Sequence, residues 1–160
     1  MDEWFQEKFI EPKDLEKVVA SLREKKKTIV TLNGSFDLMH AGHLFIVHEA
    51  SKKGDSLIVA LNSDPSIKQY KGEERPIISL ADRLRMVAAL EWVDFVTFFE
   101  EADPRAVLST IKPDVHVNGA EYGEGCIEAE TVKQFGGSVQ LVGRIPGLAT
   151  SAIIEKIKKL

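Results

Sequence analysis

His40 and His43 stand three residues apart with Gly42 between them, in the stretch Gly34-Ser35-Phe36-Asp37-Leu38-Met39-His40-Ala41-Gly42-His43. The apolar run Thr28-Ile29-Val30-Thr31-Leu32 precedes it, so a buried strand is expected to pass into a tight loop that opens a helix at about Gly42. A helix start offers unpaired backbone N–H groups and the positive end of the helix dipole, which together attract phosphate. Two imidazoles at the same place add donors that can follow charge developing on a phosphoryl group. Positions three apart share a face, so both rings can converge on one phosphate, and Gly42 lets the backbone approach it. The pattern implies a nucleoside triphosphate site built for phosphoryl-group chemistry. Metal binding is the competing use of paired histidines, but no third ligand with suitable spacing stands nearby. His48, in a helical pattern, and His116, inside a strand pattern, belong to no motif and read as structural.

The elements that must position this loop follow from the rest of the chain. Its 160 residues, 44% hydrophobic, suffice for one domain with a single core. Residues 1–27 read as an N-terminal helical extension: Pro12 at a helix start is followed by Leu15, Val18, Val19 and Leu22 on one face. Lys25-Lys26-Lys27 suits that helix's C-terminal end. Residues 28–160 read as the single domain that this extension precedes. Strands are predicted at 28–33, 56–61, 94–99, 114–118 and 138–143. Helices are predicted at 42–53, 64–70, 79–92, 104–111, 126–135 and 150–159. Such alternation is the mark of a parallel α/β sheet with helices on both faces, and right-handed crossovers put the functional loops at the strands' carboxyl ends.

Composition narrows the partners. Lys and Arg total 21 against 25 Asp and Glu, a formal charge of -4, which argues against nucleic acid or a membrane surface as the partner. Cys126 is the single cysteine, so neither an internal disulfide nor a thiolate metal cluster is expected. No apolar stretch approaches the roughly 20 residues of a membrane helix. The N-terminus, with Asp2, Glu3, Glu7 and Glu11, lacks a signal-peptide layout. A soluble, cytoplasmic location is the expectation. Trp4, Phe5 and Phe9 could pack on the chain's own core or on a second subunit.

A second phosphate-binding pattern lies at Arg144-Ile145-Pro146-Gly147-Leu148-Ala149-Thr150-Ser151. Hydroxyl and N–H groups at the start of a helix over 150–159 would hold phosphates, and Arg144 would add a charged fork. The plainer reading is an N-cap, with Thr150 or Ser151 capping the last helix. A third region, Leu61-Asn62-Ser63-Asp64 through Arg75-Pro76, follows a strand and brings the cations Lys68, Lys71 and Arg75 to a loop. For Lys68 a merely solvated role is equally open.

The 34–43 segment resembles the G-x-F-D-x-x-H-x-G-H signature of the nucleotidyltransferase superfamily that includes cytidylyltransferases, pantetheine-phosphate adenylyltransferase and class I aminoacyl-tRNA synthetases. That resemblance implies a Rossmann-like fold with a parallel five-stranded sheet of order 3-2-1-4-5. It implies joining of a nucleoside triphosphate to a phosphate or carboxylate with release of pyrophosphate. Residues 144–151 are similar to the R-T-x-G-I-S-T-T pattern of the cytidylyltransferase-like branch, with Ala149 in place of its first serine. Residues 61–76 resemble N-S-D-x-x-x-K-x-x-K-G-x-x-R-P of the heptose 1-phosphate adenylyltransferases, and Ser79–Asp94 continues that match. The resemblance spans about 28–158. It includes no kinase half, which implies that a sugar 1-phosphate comes from elsewhere.

Val117-Asn118-Gly119-Ala120-Glu121-Tyr122 occupies the place of V-K-G-G-D-Y in the heptose enzymes and of G-D-D-W in glycerol-3-phosphate cytidylyltransferases. Glu121 keeps an acid for ribose hydroxyls and Tyr122 an aromatic wall, while Asn118 and Ala120 depart from the patterns. The implied reaction is direct in-line attack of an acceptor phosphate on the α-phosphorus of ATP, with Mg²⁺ carried by the nucleotide. A phosphate dianion needs no general base, so positioning and charge stabilisation suffice. His40, His43, Lys71 and Arg144 are the catalytic candidates. Asn33, Gly34, Ser35, Phe36, Gly42, His43, Asn118, Gly119, Glu121, Tyr122, Gly147, Thr150 and Ser151 are the nucleotide-binding ones, and Thr150 and Ser151 would hold the leaving pyrophosphate. Asp37, Lys68 and Arg75 are assigned to the substrate, and no residue to a protein-bound metal. The expected acceptor is heptose 1-phosphate, giving an ADP-sugar for surface polysaccharide. The alternatives are a glycerol-3-phosphate cytidylyltransferase using CTP, or a nucleotide-binding regulatory protein without catalysis. Relatives of this kind imply a homodimer.

Overall fold

The computed structural model describes residues 3–123, 125–143 and 145–160. Five strands, β1 (Ile29–Gly34), β2 (Ser56–Asn62), β3 (Phe95–Phe99), β4 (Val115–Gly119) and β5 (Ser138–Val142), form one sheet of order β3-β2-β1-β4-β5. Every neighbouring pair is parallel. This is the predicted Rossmann-like arrangement, and each predicted strand lies within one residue of its observed bounds. The strands form from short apolar runs, and the inner ones are buried on both faces: all seven residues of β2 are buried, whereas in β5 only Val142 is.

Side chains alternate between two cores, as the pleat requires. On one face Val30, Leu32, Val59, Leu61, Val96 and Val117 pack with Val47 and Ala50 of α3 (Ala41–Ser51) and Leu84 and Val87 of α5 (Leu80–Ala88). On the other, Ile29, Ile58, Ala60 and Phe99 meet Leu15 and Val19 of α2 (Leu15–Glu24) and Val107 and Ile111 of α6 (Arg105–Ile111).

The N-terminal segment contributes to both cores. Phe5 of α1 (Glu3–Lys8) is buried on the first face and Ile10 on the second. Ile10 N–H donates to the Val96 carbonyl at 2.9 Å, so the segment lies along the outer edge of β3, a position otherwise open to pairing. Phe5 and Phe9 stack with centroids 5.2 Å apart, and Phe9 stacks on Phe98. Both phenylalanines thus serve the chain's own core, while Trp4 is 44% exposed. The helix expected from Pro12 begins at Leu15, because Pro12–Asp14 form a 3-10 turn first. The helix expected over 79–92 ends at Ala88, since Leu90 and Trp92 turn back onto the first core and the Asp94 carboxylate accepts the Leu57 N–H.

Candidate active site

The connections after β1 and after β4 leave in opposite directions, so the boundary between these strands is the sheet's switch point, where α/β folds bind ligands. A cavity of about 500 Å³ opens there at the strands' carboxyl ends, a size typical of small-molecule sites. It is lined by Asn33, Gly34, Ser35 and Phe36 after β1, His40, Gly42 and His43 at the start of α3, and Asn118, Gly119, Glu121 and Tyr122 after β4. Lys71 and Arg75 close one side, and Ala149, Thr150 and Ser151 another.

His40 is the N-cap of α3, and the two histidines build a reciprocal capping box. The Gly42 N–H donates to His40 Nδ1 at 3.1 Å, and the His40 N–H donates to His43 Nδ1 at 3.2 Å. Because each Nδ1 accepts a backbone N–H, each neutral ring carries its proton on Nε2. The ring centroids are 4.1 Å apart, and Phe36 packs on His43 at 5.5 Å. Gly42 has a more specific reason than close phosphate approach. A Cβ there would meet the His40 ring at 2.9 Å, so glycine makes room for the imidazole itself.

The loop between β1 and α3 is held from several sides. Phe36 and Leu38 adopt left-handed φ values of 51° and 48°, a conformation costing about 1 kcal/mol or more each that persists only where surroundings over-determine it. Arg83 is one such clamp. Fully buried, it donates through Nη1 to the Ser35 carbonyl, through Nη2 to the Asn62 carbonyl (3.0 Å) and Asp64 (2.6 Å), and through Nε to Ile78 O (3.0 Å). One guanidinium therefore joins the ends of β1 and β2 and the segment entering α5. Lys71, at the end of α4 (Asp64–Lys71), donates to Ser35 Oγ at 3.0 Å. Partial desolvation, then the charges of Arg75 and Arg83, lower the Lys71 pKa, with Asp37 opposing.

Several expected assignments change. Asp37 is fully buried, and both carboxylate oxygens are taken: Arg75 Nε donates at 2.7 Å, Ile77 N–H at 2.9 Å and Ile78 N–H at 2.9 Å. It holds the loop and Arg75 rather than a substrate. Burial opposes its ionisation, but these three donors outweigh burial and keep its carboxyl below the ordinary value. Lys68 pairs with Glu73 at 3.1 Å and does not line the cavity. Gly147 has φ 78° in the turn before α8 (Thr150–Ile157) and also lies off the cavity wall.

The Thr150 hydroxyl donates to the Asp37 carbonyl at 3.0 Å, so its proton is not available to a phosphate. Neither Thr150 nor Ser151 caps α8. The cap is Ala149, without a side-chain bond, which leaves the helix's first N–H groups facing the cavity's third side. Asn118 lines the cavity, but its amide is spent on Gly119 N–H (3.0 Å) and Glu128 (3.4 Å). Glu121 folds its carboxylate against Gly119, where any Cβ would collide with it. Arg144 lies outside the described residues.

His116 is buried on β4, bonded through Nδ1 to Thr31 Oγ1 at 2.8 Å, and burial lowers its pKa to about 4. His48 packs against Trp92 with centroids 4.7 Å apart. Both are structural, as expected. Arg83 was not assigned a role from sequence, although its spacing with Leu80, Leu84 and Val87 puts a cation on the buried face of α5, the signal that marks it.

Residues 31–157 match the family model described as cytidylyltransferase-like. The chain is 44% identical over 138 residues to the bifunctional protein HldE of Pseudomonas entomophila (strain L48), covering 86% of this chain and 29% of that one. HldE of Campylobacter fetus subsp. fetus (strain 82-40) is 45% identical over 133 residues, 82% of this chain and 28% of that protein. The chain therefore spans under a third of the length of these relatives. A crystal structure of the lipopolysaccharide core biosynthesis protein from Thermoplasma volcanium GSS1 superposes with a TM-score of 0.60 at 30% identity, covering 74% of this chain and 97% of that one. Pantoate-beta-alanine ligase from Francisella tularensis, solved with beta-gamma ATP and beta-alanine, shares the fold at a TM-score of 0.64 and 16% identity, over 96% of this chain and 78% of that one. With its sheet order, its histidine loop and a family match over most of its length, this chain belongs to the cytidylyltransferase-like family of nucleotidyltransferases.

Proposed function

We propose that the chain transfers AMP from ATP to a sugar 1-phosphate, heptose 1-phosphate in the first instance, releasing pyrophosphate and giving an ADP-sugar for surface polysaccharide. The observation that carries this reading is the histidine capping box, which fixes two imidazoles in the lining of one cavity at a helix N-terminus. The heptose acceptor is supported by Lys71-Gly72 and Arg75-Pro76 and by the HldE similarity. An acceptor phosphate oxygen attacks the α-phosphorus in line. His40 and His43 donate to the α-phosphoryl oxygens as their charge grows, and Ser35 and Phe36 lend loop N–H groups. Lys71 and Arg144 neutralise the triphosphate, Arg75 receives the acceptor phosphate, and the N–H groups of Thr150 and Ser151 hold the departing pyrophosphate.

Mg²⁺ would enter this scheme as a companion of ATP and would supply charge neutralisation of the triphosphate. The ion would be carried by the triphosphate rather than by a protein site. No helix of the described residues is long and apolar enough to cross a membrane, and a cytoplasmic location suits the proposed substrates. A homodimer is part of the same reading, to be checked by sedimentation velocity.

Pyrophosphate release, measured with Mg²⁺ while ATP and CTP are crossed with heptose 1-phosphate and glycerol 3-phosphate, tests the assignment. Turnover is expected with ATP and heptose 1-phosphate. Turnover confined to CTP and glycerol 3-phosphate would replace it with the cytidylyltransferase alternative, and nucleotide binding without pyrophosphate from any pair would indicate a regulatory protein.

A further inference from the structure

Asp37 reaches two sides of the cavity with two different groups. Its carboxylate takes Arg75 Nε and the N–H groups of Ile77 and Ile78. Its backbone carbonyl takes the Thr150 hydroxyl at the first residue of α8. Each connection leads to an element with little else to aim it. Arg75 lines the cavity, and its Nη2, though buried, has no partner among the described residues. In α8 no residue is buried, and Ala149 gives the helix no side-chain cap.

We propose that Asp37 is a positioning residue for both ends of the transfer: its carboxylate aims Arg75 at the acceptor phosphate, and its carbonyl, through Thr150, aims the α8 N-terminus at the leaving phosphates. The proposal rests on the nucleotidyl-transfer reading above. Its chemistry follows from the arginine fork. With Nε committed to Asp37, the two outer nitrogens are left to grip an anion, in an orientation that the fixed Nε bond dictates. Asn at position 37 would keep the carbonyl, and with it the Thr150 bond. It would also replace one acceptor oxygen by an NH₂ that opposes the N–H groups it must receive. The two ends are therefore separable by mutation.

The test is steady-state kinetics of Asp37→Asn and Thr150→Val in the full chain, with Mg²⁺-ATP and the acceptor varied in turn. Asp37→Asn is expected to raise the acceptor KM about 10- to 100-fold, the weight of a charge-assisted hydrogen bond, with the ATP KM within about 3-fold of wild type. Thr150→Val is expected to raise the ATP KM and the pyrophosphate inhibition constant about 3- to 10-fold and to spare the acceptor KM, with Thr150→Ser restoring both. In an Arg75→Ala background Asp37→Asn should add little. The proposal is overturned if Asp37→Asn lowers kcat with both KM values unchanged, or if its effect adds fully to that of Arg75→Ala. It is equally overturned if Thr150→Ser behaves like Thr150→Val, a comparison that stands even where Asp37→Asn does not fold. Should wild type release no pyrophosphate with any pair, the transfer reading falls. Calorimetric titration with inorganic phosphate and pyrophosphate then asks for the same split between the two variants, and equal weakening of both anions in both variants rejects it.

Discussion

His40 and His43 cap the same helix turn for each other: the backbone N–H of His40 donates to the imidazole of His43, while the imidazole of His40 accepts from Gly42 one residue before it. In a capping box built from Ser and Glu the side chains are consumed by capping. An imidazole has a second nitrogen, so capping on Nδ1 fixes the ring's tautomer and orientation while the proton sits on Nε2.

Gly42→Ala tests that arrangement without touching either histidine. The new methyl would sit 2.9 Å from the His40 ring, and a displacement of about 1 Å can cost on the order of 10²-fold in rate. Alanine favours the helix by about 1 kcal/mol over glycine. Turnover should therefore fall steeply while the thermal midpoint holds or rises. Unchanged turnover would show that the His40 position does not matter.

Arg83→Met should destabilise the fold by about 3 kcal/mol or more, because three backbone carbonyls and Asp64 lose a buried donor together. Urea unfolding at neutral pH measures it. Arg83→Lys should recover only part of the loss, since one ammonium cannot span four acceptors in the guanidinium plane.

Lys71 sets an alkaline limb. In the proposed reaction it binds the triphosphate as a cation, and in the free protein its pKa is lowered by desolvation and by Arg75 and Arg83. As pH rises through that lowered value the charge is lost and kcat/KM for ATP falls, at a pH below the ordinary lysine range. Tyr70 does not share the window, because desolvation and then Tyr122 push its hydroxyl upward. Lys71→Arg should remove the limb.

His116 governs acid sensitivity. Its folded pKa of about 4 lies below the ordinary 6.5, so between those values the unfolded chain takes up a proton that the folded chain refuses. Stability is therefore full above about pH 6.5 and falls toward pH 4, by about 3 kcal/mol from this group. Asp37, also lowered, adds its loss only below the ordinary carboxylate range. Urea unfolding at pH 7 and pH 4.5 should show a smaller drop for His116→Val than for wild type.

The sheet was legible because each strand is a short apolar run between polar turns, and the histidine loop because its residues are contiguous. Arg75, Lys71 and Glu121 were legible too, as chemistry-bearing side chains in the segments that follow strands, which the fold does bring to one cavity. Asp37 shows where that reasoning stops. A carboxylate beside the histidines looks like a ligand, and nothing local reveals that Ile77 and Ile78, forty residues on, will use both its oxygens. Thr150 fails in the same way: a hydroxyl at a helix start reads as a phosphate donor until Asp37, 113 residues earlier, accepts its proton. Local spacing identifies candidate groups, whereas long-range hydrogen bonds decide which of them remain free.

Pyrophosphate release from Mg²⁺-ATP and heptose 1-phosphate, compared between wild type and His43→Ala, is the decisive measurement. Wild type should yield pyrophosphate and ADP-sugar in equal amounts, and the variant should lose about 10²- to 10³-fold in turnover, the cost of one transition-state donor. Near-normal turnover by His43→Ala would show that the histidine loop is not the transfer site.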